Sequence, residues 1–202
     1  MITISNQIIH DSIPFSEYLA LPGYSHSFLK REVGGVLPAM DISEGMQIGS
    51  LVDAIITEPG AANMGHPSYD TAKTIAYHLK RDYQWLFDGS KKQVNMTANF
   101  THQGLTLPVK GRADFWIPDH MVIDLKVTNS RDSRAIISHM GYLNPLWGYA
   151  KMAGVKKGAW LFYSKPLKKC LPLIEVDLSS DVNAFWMDKI MKFGKVKQEA
   201  SV

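Results

Sequence analysis

A single cysteine, Cys170, stands among 202 residues. One thiol cannot close a disulfide within the chain or build a cysteine zinc site. The simple reading is a reducing cytoplasm. Long apolar runs are missing as well. No stretch approaches the roughly 20 apolar residues that a bilayer-spanning helix needs, so no membrane partner is expected. The N-terminus shows no basic segment leading into an apolar one, and no signal peptide is expected. A glycine-rich phosphate loop is lacking, so nothing suggests ATP use. The seven histidines show no metal-binding spacing. There is no internal repeat and no low-complexity segment.

Charge of one sign is scarce overall. The net is only +3, a weak hint of an anionic partner. Its distribution says more, because residues 150–202 carry ten lysines against five acids. A polyanion could meet this third while acids elsewhere hold cations. The plainer reading is a solvated lysine-rich surface.

What is present suits one globular domain. Hydrophobic residues make up 46% and charged residues 20%, and 202 residues are too few for two ordinary domains. Residues 1–24 read as an N-terminal arm, with strand character at Ile2–Ile9. Ser25 looks like the N-cap of a short helix through Lys30, and Gly34 and Gly35 break the chain. Ile48, Leu51, Val52, Ile55 and Ile56 lie on one face of a helix that Pro59 and Gly60 end. Residues 60–68 read as loop. A second helix runs from Tyr69 to about Phe87, closed by Asp88 and Gly89.

The pattern then changes period. Val94, Met96, Ala98 and Phe100 alternate with polar residues as in a strand. A turn at His102–Gly104 leads to a strand from Leu105 to Ile117. A turn at Pro118–Asp119 leads to a short apolar strand from Met121 to Val127, as expected of a buried central one. Three strands joined by tight turns make an antiparallel meander. A helix from about Asp132 to Met152 follows, with Pro145 expected to kink or split it. Gly158–Ser164 and Leu171–Val176 read as strands. A last helix starts near Ser179–Ser180, carries Val182, Phe185, Trp186 and Ile190 on one side, and decays into a basic, flexible tail over 192–202. The expected fold is therefore an α/β, mixed-sheet architecture flanked by helices. The crossover helix should make the third and fourth strands parallel neighbours.

Chemistry concentrates on the meander. Asp124 and Lys126 are two apart on a strand and leave the same face. The hairpin around Pro118–Asp119 returns the chain so that Asp114 can sit across from Asp124. Two carboxylates at one point repel unless something positive lies between them. Magnesium is a hard cation that takes oxygen ligands, and the backbone carbonyl of Leu125 could add one. Lys126 could orient or deprotonate a water, or balance charge on a phosphate. Read from these residues alone, the alternative is a surface ion pair on an ordinary hairpin. The apolar neighbours Val122, Ile123, Leu125 and Val127 speak for the buried site.

The pattern Gly111-Arg112-Ala113-Asp114, followed ten residues on by Asp124-Leu125-Lys126, resembles the core of the PD-(D/E)xK nucleases. It is most similar to the branch of lambda exonuclease, the RecB nuclease domain and RecE-type exonuclease VIII. Ser25–Lys30 resembles the Ser-x-Ser-x-Leu-Lys opening of RecE-like proteins. The helix from Ile48 through Glu58-Pro59 resembles their Gly-Thr-x-x-His helix. Tyr142 and Tyr149 fall where the family carries a Tyr-x-x-Gln-x-x-x-Tyr helix. The likeness spans about residues 25–165. It implies a restriction-endonuclease-like core with Lys126, Asp124 and Asp114 as catalytic residues. It also implies Asp114, Asp124 and Leu125 as holders of magnesium, with manganese as a substitute.

Three positions depart from the family. Its helix histidine is Asp53 here, read as a third metal ligand or else as a solvent-facing residue. Gln93, or a neighbour, stands where relatives place a glutamate. Pro145 replaces the crossover glutamine, with Asn144 beside it as a substitute. Arg112 could meet a phosphate or pair with a surface acid. Lys151, Lys156 and Lys157 could line a DNA path or simply favour a helix C-terminus. His26 could meet a phosphate but is more simply structural. Trp116, Trp147, Trp160 and Trp186 read as core. The resemblance implies a magnesium-dependent exonuclease on double-stranded DNA ends. Its expected polarity is 5′-to-3′, in phage-type recombination, with an annealing or single-strand-binding protein as partner and a ring-like homo-oligomer. An endonuclease on the same fold, or a catalytically silent DNA-binding or regulatory protein, are the alternatives.

Overall fold

The architecture was determined as a computed structural model, which describes residues 1–10, 13–31, 44–134, 137 and 141–196. Gly34 and Gly35 lie outside the described residues, as do 197–202 of the expected tail. The described elements are β1 (Thr3–His10), α1 (Phe15–Ala20), α2 (His26–Arg31), α3 (Glu44–Thr57) and α4 (Tyr69–Gly89). Then come β2 (Lys91–His102), β3 (Leu105–Ile117), β4 (Met121–Thr128), α5 (Leu143–Ala153), β5 (Lys157–Ser164), β6 (Lys169–Cys170), β7 (Ile174–Asp177), α6 (Ala184–Phe193) and β8 (Lys195–Val196). Among the described residues no helix is long and apolar enough to cross a membrane.

One eight-stranded sheet runs β1-β2-β3-β4-β5-β6, with β7 on β5 and β8 on β3. The meander β2-β3-β4 is antiparallel. Its first turn carries Gln103 at φ 50° and Gly104 at φ 77°. Two left-handed residues in succession match the twist of the flanking strands and favour a tight hairpin. The crossover through α5 makes β4 and β5 parallel, from Met121↔Lys157 to Thr128↔Ser164.

Helices cover both faces. On one, Ile48, Val52 and Ile56 of α3 and Ala72, Ile75 and Leu79 of α4 pack on Ile123, Leu125 and Leu161. On the other, Leu146, Trp147 and Ala150 of α5 and Trp186 and Ile190 of α6 pack on Val122, Trp160 and Phe162. The four tryptophans expected in the core are buried there. Both β4 and β5 bury residues of either parity, which is why their sequences read as continuous apolar runs.

Several expectations need correction. The strand expected at Ile2–Ile9 is present as the edge strand β1, paired antiparallel to β2, but the arm is not extended throughout, since Phe15–Ala20 forms a helix, α1. Phe15 stacks on Tyr18 within α1, and Tyr18 is buried. The crossover helix does not break at Pro145. Ser133, Arg134 and Ile137 are helical, and the chain turns at Gly141, which takes φ 64°. Pro145 then falls in the first turn of α5, where the missing N–H has no helical acceptor to lose. Leu171–Val176 is not one strand: Pro172 cannot donate to a ladder, and β6 and β7 end on either side of it. The last helix starts later than expected, at Ala184, because Asn183 caps it by accepting the Trp186 N–H at 3.2 Å. Val182 is therefore exposed rather than on the apolar face. The start of the basic tail is ordered, since Lys195 and Val196 pair with Thr106 and Leu105.

His26 starts α2 with its ring 4.8 Å from that of Phe185. Burial first, and Lys30 second, push its pKa down to about 4. A depressed imidazole contributes stability above the unfolded pKa of about 6.5 and loses it as pH falls toward 4. At pH 5 this loss is about 2 kcal/mol, or roughly 4–8 °C. The melting temperature of the wild type is thus expected to fall between pH 7 and 5 relative to His26→Phe. Parallel melting curves for the two proteins would refute the assignment.

Candidate functional site

β3 and β4 are laddered only at Phe115↔Ile123, Trp116↔Val122 and Ile117↔Met121. Beyond that the strands splay. Asp114 sits at the opening, and its Oδ2 accepts the backbone N–H of Leu125 at 2.7 Å. A carboxylate thus does what a ladder carbonyl would otherwise do. The side alternation of β3 also breaks here. Ala113 belongs to the core under α5, whereas Phe115, two residues on, belongs to the core under α3 and α4. The facing position on β2 is Gln93, between the pairs Lys92↔Phe115 and Val94↔Ala113. Gln93 takes φ 52°, a left-handed conformation that a glutamine adopts only against a steric cost.

Asp124 is buried, with only 9% of its side chain exposed. Lys126 Nζ straddles it, 2.7 Å from Oδ1 and 2.6 Å from Oδ2. Only the first contact has the direction of a hydrogen bond, so Oδ2 is left buried without a well-aimed donor. Burial works against the charge on Lys126, but Asp124 and Asp114 outweigh it and keep the ammonium firmly protonated. Lys126 is therefore a cation in this arrangement and not a ready base. Its Nζ lies 3.3 Å from the Leu125 carbonyl and 5.6 Å from the centre of the Tyr142 ring.

Burial, followed by the Asp124 charge, pushes the Asp114 carboxyl up to about 8. Asp53, from α3, rises to about 6 through burial, against the pull of Arg112. Its two oxygens each accept from Gln93 Nε2 at 2.6 Å. Asp53, Asp114, Leu125 and Lys126 line a common cleft of about 680 Å³, with Ser50 and Tyr142 at its walls.

The donor set suits a hard cation. Every candidate ligand is an oxygen. One buried carboxylate oxygen lacks a directed partner, and burial beside Asp124 works against the charge on Asp114, a cost that a bound cation would relieve. Among the described residues, however, no three acidic, histidine or cysteine groups converge as a finished cage. Lys126 and Gln93 hold Asp124 and Asp53 with protein donors instead.

Tyr149 is half-buried behind the acids, and burial, with Asp124 and Asp114 next, holds its hydroxyl well above the usual tyrosine range. Gly111 makes room for it. A Cβ there would stand 2.8 Å from the Tyr149 ring and 2.5 Å from Met152. Tyr142, not Asn144, meets Lys126. Asn144 instead offers its backbone carbonyl to Trp186 Nε1 at 2.9 Å. Arg112 is drawn to Glu58 at 3.1 Å and lies over the Phe15 ring, so its surface acid is identified and it is not a free phosphate contact. Lys151 pairs with Asp181 at 2.6 Å. Lys156 and Lys157 line a separate depression at the start of β5, at the far end of the sheet from Lys126. These three lysines do not form a path into the cleft. Sequence reasoning gave Tyr142 and Glu58 no role. The only signals available were their places in the Tyr-x-x-x-x-x-x-Tyr and Glu-Pro motifs.

No family model matches the sequence, and no curated relative does. Among solved structures, the chain is similar to a candidate exonuclease from Eubacterium rectale, with a TM-score of 0.59 and 17% identity over 88% of this chain and 79% of that one. A structure of SSO0001 gives a TM-score of 0.42 and 17% identity over 72% and 71%. Rai1 from Scheffersomyces stipitis gives 0.30 and 15% over 54% and 27%. At these identities the first likeness is one of fold alone, a mixed α/β sheet flanked by helices.

Proposed function

We propose that the chain is a PD-(D/E)xK-type, magnesium-dependent deoxyribonuclease, in the form of an exonuclease on double-stranded DNA ends. The observation that carries this reading is the convergence of Asp114 and Lys126 where β3 and β4 splay, both lining one cleft, with the buried Asp124 held against Lys126. Asp114, Asp124 and the Leu125 carbonyl would hold the cation, with Asp53 at their side. When bound, such an ion supplies the positive charge that lets two carboxylates and an anionic phosphodiester share one site, and it makes water more acidic.

The chain's own residues do the rest. Lys126, released from Asp124, donates to the phosphate or orients the attacking water, and its charge offsets what builds up on the phosphate oxygens. Gln93 holds the Asp53 carboxylate in place. Tyr149 and Tyr142 wall the site and exclude water from its rear and side. The 5′-to-3′ polarity, a role in phage-type recombination with an annealing or single-strand-binding partner, and a ring-like homo-oligomer are part of the same proposal, carried by the sequence resemblance.

A catalytically silent DNA-binding protein is the second reading. Its support is that Lys126 and Gln93 close on Asp124 and Asp53 and, among the described residues, no three acids converge. Digestion of end-labelled linear and circular duplex with magnesium separates the readings. Linear DNA should be degraded and covalently closed circles left intact. Lys126→Ala should slow degradation about 100- to 1000-fold. Full activity in that variant would remove Lys126 from the mechanism, and an inert wild type would leave the silent reading.

A further inference from the structure

We propose that the turn between β5 and β6, together with Arg131, is the surface along which the duplex arm of a DNA substrate lies as it enters the cleft. This rests on the nuclease reading for its substrate class. Its basis is a group of cations that the catalytic site does not use.

The cleft continues past Lys126 along the end of β4, where Thr128 and Asn129 line it. Thr128 is laddered to Ser164, the last residue of β5. The next residue, Lys165, donates its backbone N–H to the Thr128 carbonyl at 2.9 Å. Ser164 Oγ donates to the Ser130 carbonyl at 2.8 Å. The two segments are therefore tied together at the cleft mouth. The turn then closes through the Lys168 N–H on the Lys165 carbonyl at 3.2 Å, with Lys168 at φ 50°. Arg131 shares a depression of about 550 Å³ with Leu167 and Lys169. At about 3.3 Å per strand residue, Lys165 stands roughly 10 Å along the sheet from the level of Lys126. That is a few phosphates of one DNA strand.

Arg131, Lys168 and Lys169 are exposed, and Lys165 is half-buried. Among the described residues none of these four cations has an ion-pair partner. Three acids lie near this group, and of them Glu175 lines a neighbouring depression with Arg131, while the other two are engaged. Asp82 pairs with Arg81 at 2.6 Å, and Asp132 accepts the Arg134 N–H at 2.9 Å. By contrast Lys151 and Arg112 are neutralised by Asp181 and Glu58. The exposed residues of the rim include no aromatic ring. Proteins that grip unpaired strands stack bases on such rings, so a rim of bare charge suits a base-paired backbone.

The test is binding of a fluorescent blunt-ended duplex in EDTA across a salt series, with wild type beside K165Q/K168Q/K169Q and K156Q/K157Q. Melting curves of each protein confirm folding. The rim variant should bind at least tenfold more weakly at low salt. Its plot of log affinity against log salt should be shallower by about 2–3, near 0.9 for each phosphate no longer neutralised. The K156Q/K157Q protein should match wild type. An unchanged slope in the rim variant, or an equal loss in K156Q/K157Q, overturns the proposal. Cleavage with magnesium is read separately. Rim-dependent binding without cleavage would end the nuclease reading and leave the rim standing, whereas cleavage with rim-independent binding would remove the rim alone.

Discussion

Asp114→Asn is expected to lower DNA cleavage by about a thousandfold while making the metal-free protein more stable. Asp114 is buried beside Asp124, and burial raises its carboxyl to about 8. The folded chain therefore holds at neutral pH a group that the unfolded chain ionises freely. For an acid raised in this way, the stability it contributes is largest below the unfolded pKa near 4. It is lost as pH rises toward the folded value. Asparagine removes that penalty, on the order of a few kcal/mol, and its carbonyl can still accept the Leu125 N–H. Without metal at pH 7.5, the variant should melt roughly 5 °C or more above wild type. Magnesium should raise the wild-type melting temperature and leave that of the variant where it is. A variant that is both inactive and less stable would show Asp114 to be a structural acid, and the metal assignment would go with it.

Trp186→Ala should have the largest effect on stability. Trp186 is 1% exposed, with ring centroids 5.1 Å from Phe100 and 5.4 Å from Phe185. It sits over Gly148, where a Cβ would come within 2.8 Å of the indole. Its Nε1 donates to the Asn144 carbonyl at the start of α5. Truncation leaves a cavity and removes the indole's hydrogen bond, for a loss of about 3–5 kcal/mol and roughly 10 °C in melting temperature. Because α5 carries Tyr149 and follows Tyr142, activity measured well below the melting point should fall too. Trp186→Phe keeps most of the packing and should lose less than half as much. If the two variants melt alike, the hydrogen bond rather than the packed volume dominates at this position.

The meander and the crossover are legible in the sequence because strands buried on one or both faces write period-two or continuous apolar patterns. The turn residues Gln103-Gly104 and Pro118-Asp119 mark their limits. The helix ends at Pro59 and Gly89 are legible for the same local reason. What stays hidden depends on residues distant in sequence. The strand character of the arm at Ile2–Ile9 is legible, but its partner is not, because β1 is exposed on most of its length and gains its order from β2. Proline is the obvious interrupter of the crossover, so the sequence points to Pro145, but Gly141 supplies the left-handed turn. In the site, the spacing of Asp114, Asp124 and Lys126 is readable from the hairpin. The engagement of Asp53 by Gln93 is not, because no local pattern announces a left-handed glutamine within a strand. The lysines of 150–202 are visible as an excess of charge. Which of them are neutralised depends on Asp181 and on where β5 begins and ends.

The switch of sides at Asp114 has a consequence for how the molecule can be divided. Residue 113 is anchored in one core and residue 115 in the other. The peptide that presents the first carboxylate is therefore strung between two separately packed bodies of side chains. A fragment that keeps only α3 and α4, or only α5 and α6, retains one anchor and loses the tension that aims Asp114 at Leu125. This centre is a joint property of both halves. Pruning the chain to a minimal unit that keeps this centre would have to spare both layers of helices.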